Sequence, residues 1–235
     1  MTNSTGRPDD SAPRITATPN GPYRLTGVRR IVWREPVKTA DGEPIAWAQG
    51  EVLADADEEY WLCRCGQSAN KPFCDSSHRR VGFQAQDAAD PADRSERAKT
   101  YGSGETVLQD DRSVCAHAGF CGTKVTNAWK LSAGDDLGAA ERSQLVAMAA
   151  HCPSGALTLS LNGEDVEPSM PAEIALMPDG PLLVTGGVVV ERSDGTALSM
   201  RNRMTLCRCG ASANKPLCDG SHAKAGFSHS PGQQS

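Results

Sequence analysis

Cys207-Arg-Cys209-Gly-Ala-Ser-Ala-Asn-Lys-Pro216-Leu-Cys218-Asp219-Gly220-Ser221-His222 decides how the rest of the chain is read. It sets three cysteines and one histidine on a loop punctuated by glycine and proline. The same sentence stands earlier as Cys63-Arg-Cys65-Gly-Gln-Ser-Ala-Asn-Lys-Pro72-Phe-Cys74-Asp75-Ser76-Ser77-His78, with all four candidate ligands at the same spacing. The repetition extends outward. Asn20-Gly-Pro-Tyr-Arg-Leu-Thr-Gly27 returns as Asp179-Gly-Pro-Leu-Leu-Val-Thr-Gly186, each followed by a β-branched run, Val28 to Val32 and Val188 to Val190. Such runs between glycine turns read as short strands. A last strand leads into each loop, at Glu59 to Leu62 and at Arg203 to Leu206. A whole domain is therefore duplicated. The first copy carries extra residues around Glu35 to Ala54, which read as a longer hairpin or loop.

The chain has nine cysteines. They fall into three triplets: Cys63, Cys65, Cys74; Cys115, Cys121, Cys152; and Cys207, Cys209, Cys218. An odd number argues against a closed disulfide set, and C-x-C pairs are typical of metal sites, so three metal centres are expected. The middle triplet has its own setting. A strand at Thr106 to Leu108 precedes Cys115-Ala-His117-Ala-Gly-Phe-Cys121, a helical stretch covers Gly138 to Ala150, and His151-Cys152-Pro153 feeds a strand at Leu157 to Leu161.

Composition narrows the function classes. An apolar share of 38% with 5% aromatics is low for one large core and suits small domains held by metal. A net charge of −5 argues against a nucleic-acid surface. No apolar run approaches the roughly 18 residues that span a bilayer, and Met1 to Asn20 reads as a polar tail, not a signal peptide. The expectation is a soluble cytoplasmic protein that binds neither nucleic acid nor membrane. No G-x-G-x-x-G follows a strand, and no nucleophile and base stand together outside the cysteine loops. No catalytic site is expected; the chain reads as a redox carrier or redox subunit.

Both duplicated loops resemble the CDGSH (mitoNEET-type) iron-sulfur family, with its signature C-x-C-x2-[ST]-x3-P-x-C-D-G-[SAT]-H. The resemblance implies a 3Cys:1His [2Fe-2S] cluster held by Cys63, Cys65, Cys74 and His78, and a second held by Cys207, Cys209, Cys218 and His222. Each C-x-C pair would grip one iron. Each Cys and His, four residues apart at a helix start, would grip the other. The middle module resembles the divergent mono-cluster ferredoxin-like domains. A full bacterial-type ferredoxin has C-x2-C-x2-C and a distant C-P. This chain has C-x5-C and C-P, with Ala118 where a cysteine would stand. Cys115, Cys121 and Cys152 suit a [3Fe-4S] cluster. A [4Fe-4S] cluster would need a fourth ligand, and His117 is the nearest; its plainer reading is a loop residue bonded to backbone.

One imidazole in place of a thiolate removes a negative charge, so the duplicated centres should sit above the roughly −400 mV of plant-type ferredoxins. Its second nitrogen couples redox state to protonation. The reading is an iron-sulfur electron-transfer protein whose redox partner is unknown. A labile [2Fe-2S] cluster-transfer or redox- and pH-sensing protein is the alternative. Spacing alone also leaves open a structural zinc-binding interaction module, since three Cys and one His make an ordinary zinc site.

The expected fold class is α+β, with small metal-stabilised β-rich units flanking a ferredoxin-like module. The expected order is a disordered tail over 1–19, a first CDGSH domain over 20–83, an exposed linker over 84–100 and the ferredoxin-like domain over 101–167. A stiff linker over 168–178, the second CDGSH domain over 179–227 and a disordered tail over 228–235 complete it. The two CDGSH units are expected to pair within one monomer. Asp75 and Asp219 are read as N-caps of the turn that carries the histidine, and Ser76 as a weak point if that backbone needs positive φ. Lys71 and Lys215 are read as cations that tune the clusters, His151 as a helix-end residue, and His229 as part of the tail.

Overall fold

The computed structural model describes residues 12–56, 58–134 and 137–232. The first copy runs through β1 (Arg14–Ala17), β2 (Tyr23–Thr26), β3 (Arg30–Lys38), β4 (Pro44–Asp55) and β5 (Tyr60–Leu62), then one helical turn, α1 (Ser77–Arg80). The central module holds β6 (Lys99–Ser103), β7 (Thr106–Asp110), α2 (Ala128–Ser132), α3 (Ala139–Ala150), β8 (Leu157–Leu161) and β9 (Glu164–Asp165). The second copy follows as β10 (Glu173–Leu176), β11 (Leu182–Thr185), β12 (Val189–Glu191) and β13 (Arg203–Leu206). Strands dominate and helices are few.

The two copies are interlocked by exchanged strands. One sheet has the order β12-β1-β2-β5 and the other β13-β11-β10-β3-β4. Thus β12 of the second copy lies parallel to β1 of the first, with Ile15 opposite Val190. In return β3 of the first lies parallel to β10 of the second, with Ile31 opposite Ile174. Parallel partners cannot be joined by a tight turn, so such pairs need a distant stretch of chain. Here that stretch is the other copy. Arg14 with Glu191, and Arg34 with Glu173 at 2.7 Å, close the two exchanges with ion pairs.

Three expectations are corrected by this exchange. Residues 12–19 belong to no loose tail, because Ile15 and Ala17 are buried in β1; residues 1–11 lie outside the described residues. The proline-flanked stretch 168–178 is no simple linker. Its Ile174, Ala175 and Leu176 are fully buried in β10, which is paired on both edges. Both strands are only four residues long, too short to show period-two alternation, and they are ordered by partners far away in the chain. Residues 84–100 are also less exposed than their charge suggests, since Ala89 is buried and its N–H reaches the carbonyl of Lys215 at 3.0 Å.

The central module forms its own antiparallel sheet, β6-β7-β8-β9. Its Leu108, Leu145 and Leu159 nonetheless join Ile15, Leu25 and Leu206 of the duplicated units in one continuous core. The extra residues of the first copy form the β3–β4 hairpin, and this hairpin holds the module. Trp47 Nε1 donates to the carbonyl of His151 at 3.0 Å, and its ring lies 4.5 Å from that of Phe120. From the other side Arg203, buried in β13, donates to the carbonyl of Cys152 at 2.9 Å and pairs with Glu167.

The two cysteine loops meet back to back. A Cβ on Gly66 would fall 2.7 Å from the carbonyl oxygen of Cys209, and one on Gly210 would fall 2.7 Å from that of Cys65. Both glycines have positive φ, +77° and +83°. Gly42 shares the backbone conformation, at +85°, but would meet nothing within 4 Å. Gly42→Ala should therefore lose only the strain of a left-handed residue, about 1–3 kcal/mol. Gly66→Ala and Gly210→Ala should lose clearly more in urea unfolding. Equal losses for all three would show that the loop contact carries no stability.

Candidate metal centres

Each quartet is assembled by short-range bonding across its loop. Isolated bridges pair Leu62 with Phe73 and Leu206 with Leu217, and so bring the C-x-C pair beside the later cysteine. The N–H of Cys63 reaches the Pro72 carbonyl at 2.8 Å, and that of Cys74 reaches the Trp61 carbonyl at 2.8 Å. The second copy repeats this with Cys207 to Pro216 and Cys218 to Thr205, both at 2.9 Å. Ser68 and Ser212 hydroxyls close the loops onto Phe73 and Leu217 carbonyls at 2.7 Å.

The aspartates act one step earlier than expected. Ser76 and Gly220 occupy the N-cap positions in the left-handed region, at φ 69° and 85°. Asp75 instead bridges the loop, accepting from Ser77 N and Ala69 N at 2.9 Å each, and these bonds hold its carboxyl well below the usual range. Asp219 does the same with Ser221 and Ala213. The left-handed residue then aims its N–H at the preceding sulfur, Ser76 to Cys74 Sγ and Gly220 to Cys218 Sγ, both at 3.4 Å. The serine at position 76 thus adopts the backbone that glycine takes in the other copy.

The donors come in pairs at metal spacing. Cys63 and Cys65 sulfurs lie 3.8 Å apart, and those of Cys207 and Cys209 lie 3.7 Å apart. Cys74 Sγ stands 3.5 Å from His78 Nδ1, and Cys218 Sγ 3.3 Å from His222 Nδ1. Two thiolates at roughly 2.3 Å from a tetrahedral metal would sit about 3.8 Å apart, and a thiolate and imidazole about 3.6 Å. Among the described residues no three His, Cys, Asp or Glu side chains converge as a single ion would require. All nine cysteines are free thiols. The hydrogen bond from Cys65 lowers the Cys63 thiol, while that bond and burial raise Cys65; a metal bound to both would displace their protons. Cys207 and Cys209 behave alike. Burial, with smaller contributions from the charges on Cys207, Asp219 and Cys115, pushes the Cys218 thiol up to about 12.

Cys115, Cys121 and Cys152 line one cavity of about 170 Å³ in the central module. Burial, then the charges of Cys152 and Cys115, push the Cys121 thiol up. Arg112 reaches Cys115 Sγ at 3.8 Å and stacks over Trp129 at 4.9 Å. His117 also lines the cavity, but it is exposed, and its left-handed backbone donates N–H to Cys115 Sγ at 3.4 Å. Its ring edge lies against Gly220 of the second copy. His151 caps the end of α3 as expected.

Sequence reasoning passed over the residues that separate the two sites electrostatically. Arg64 and Arg208, the middle residues of the two C-Arg-C pairs, are both buried. Arg64 pairs with buried Asp87. Among the described residues Arg208 bonds only neutral partners, the carbonyls of Gly180 at 2.7 Å, Met177 at 2.6 Å and His229 at 3.2 Å and the ring Nδ1 of His229. Burial lowers Arg208 to about 10, while the charges of Asp179, Cys63 and Cys209 oppose that. His229 is therefore no tail residue. It is buried, tilts against Trp33 with centroids 5.0 Å apart, and meets the backbone of Lys71 in the other copy. His229 thus straps the two copies together, its carbonyl accepting from Asp179 N–H while its ring side meets Lys71, just as the N–H groups of Ala88 and Ala89 strap the second site at the Lys215 carbonyl; 233–235 lie outside the described residues. Tyr23 crosses likewise, its hydroxyl donating to the carbonyls of Cys207 at 2.9 Å and Pro216 at 3.0 Å. Lys71 Nζ donates to the Ser68 carbonyl at 2.7 Å, and Lys215 Nζ to that of Ser212; the Lys215 charge helps lower Cys207. The arginine shared by both C-x-C pairs was the available signal.

Residues 20–79 and 179–223 match a family model described as an iron-binding zinc finger of CDGSH type. Residues 101–162 match one described as a divergent 4Fe-4S mono-cluster. No curated protein matches the chain. Among the described residues no helix is long and apolar enough to cross a membrane.

Asp87→Asn would strand the buried Arg64 cation and should cost about 3–5 kcal/mol in urea unfolding at pH 7; a loss below 1 kcal/mol would show that the pair is unimportant. His229 gives a pH signature. Burial, then Arg208 and Lys71, push its pKa down from 6.5 to about 4. Between those values the unfolded chain binds a proton that the folded chain refuses, so stability falls as pH drops from 6.5 to 4. The slope attributable to His229 should approach 1.4 kcal/mol per pH unit in that window. His229→Gln should flatten the curve by that amount; parallel curves would refute the assignment.

Proposed function

We propose that this chain, which carries two CDGSH-type iron-binding domains flanking a divergent 4Fe-4S mono-cluster domain, works as a monomeric electron-transfer protein. In this reading Cys63, Cys65, Cys74 and His78 hold one [2Fe-2S] cluster, and Cys207, Cys209, Cys218 and His222 hold the other. Cys115, Cys121 and Cys152 hold a [3Fe-4S] or [4Fe-4S] cluster. The clusters supply one-electron redox chemistry when bound.

The observation that carries the reading is donor pairing. Two Cys/Cys and two Cys/His pairs at 3.3–3.8 Å suit two irons per site better than one zinc. The chain adds proximity. The cysteine loops of the two copies touch through Gly66 and Gly210. The carbonyl of Cys152 is bonded to Arg203, four residues before Cys207. Backbone N–H groups aimed at Cys74, Cys115, Cys209 and Cys218 sulfurs would stabilise the thiolates. His78 and His222 face their cysteines through Nδ1, which leaves Nε2 to exchange a proton.

Cluster transfer is favoured by one observation. Cys74 is partly exposed while Cys218 is buried, so the first site has the more accessible Cys/His end. One experiment separates the readings. His78→Cys and His222→Cys should each lower the midpoint of one centre and abolish its pH dependence, as read by redox titration of holo-protein. Under the electron-carrier reading reversible reduction survives in both variants. A midpoint independent of pH in the unaltered protein would sink the proton coupling, and protein that carries zinc and stays colourless after reconstitution with iron and sulfide would overturn the electron-carrier reading.

A further inference from the structure

A groove lies beside the first site, against Cys74 and His78. It encloses about 690 Å³ and is lined by Pro19, Pro22, Trp61, Cys74, His78 and Arg79 among others, with no carboxylate. Trp61 is 41% exposed, an unusual position for so large an apolar ring. Arg79 is exposed and makes no ion pair among the described residues. The carboxylates that precede Trp61 and Ser76 in the chain, Glu59 and Asp75, are engaged by Arg24 and Arg80. Arg24 also lies over the Trp61 ring at 5.9 Å. In a chain of net charge −5, the groove's own lining sets the Arg79 cation beside an aromatic ring and carries no carboxylate.

The second copy shows what such a face accommodates. There Thr205 replaces Trp61 and is buried, and Ala223 replaces Arg79. The central module sits on that loop. Ala116 and His117 lie against Gly220, and Asn214 Nδ2 donates to the Ser113 carbonyl at 2.8 Å. An iron-sulfur domain is thus already seated against the His222 loop, while the related face at His78 stays open.

Resting on the electron-carrier reading, we propose that the His78 groove is the docking surface for a separate ferredoxin-like partner protein with an acidic face. Trp61 is the apolar anchor, and Arg79 meets the partner's carboxylates. Charge at such a rim governs encounter and salt dependence, and a central aromatic supplies much of the affinity.

Binding of an acidic plant-type [2Fe-2S] ferredoxin to the iron-loaded protein, followed by calorimetry at low salt, tests this. Arg79→Glu and Trp61→Ala should each weaken binding by on the order of tenfold, and added salt should weaken it further. Ala223→Glu, the equivalent change on the second copy, should leave it unchanged. Basic cytochrome c should not compete. Absence of ferredoxin binding, equal loss with Ala223→Glu, or preference for cytochrome c overturns the proposal. Visible spectra and dithionite reduction of the same samples report separately on the electron-carrier reading. Intact binding by protein that cannot be reduced would sink that reading and leave the surface standing.

Discussion

Two carbonyl oxygens, of Cys65 and Cys209, lie only 2.7 Å from where the Cβ of the opposite loop's glycine would be. Much else follows from that approach. It puts the two C-x-C pairs back to back, and so forces Arg64 and Arg208, the residues between each pair of cysteines, to run inward under the opposite copy's cover. A guanidinium cannot be deprotonated there, so each needs a partner inside the protein. The straps supply them: Asp87 after the first copy, His229 after the second.

The two copies have diverged where they touch other things. Arg64 is neutralised by a carboxylate, whereas Arg208 keeps its charge among carbonyls and an imidazole, within reach of Cys63 and Cys209. The first copy has grown the β3–β4 hairpin, whose Trp47 grips the central module. The second copy gives up an aromatic for a buried threonine and receives the module on its cysteine loop. One duplicated sequence thereby yields two sites with unequal charge and unequal access to solvent.

Exchange of β3 and β12 explains how a chain so poor in aromatics builds a core at all. A four-stranded unit alone would bury one thin layer. Crossing the copies lets Ile15, Leu25, Leu182, Val184 and Leu206 face one another, with Leu108 and Leu145 of the inserted module closing the same core. The module's long connections are what permit it to lie between copies that are already entwined.

The pairing of cysteine and histidine donors was legible in the sequence, because spacing within a sixteen-residue loop is a local property. The strands flanking each loop, the helix over residues 139–150 and the need for positive φ at residue 220 were local too, and could be read the same way. What lay beyond reach was whatever depends on a distant partner. Ile15 and Ile174 sit in four-residue strands that exist only because another copy lies alongside. Asp87 and His229 look like polar connector residues until the buried arginines beneath them appear. Residue type and spacing determine which atoms can hold a metal. Which charges surround those atoms, and which side of each site faces water, is decided only when segments more than a hundred residues apart exclude solvent together.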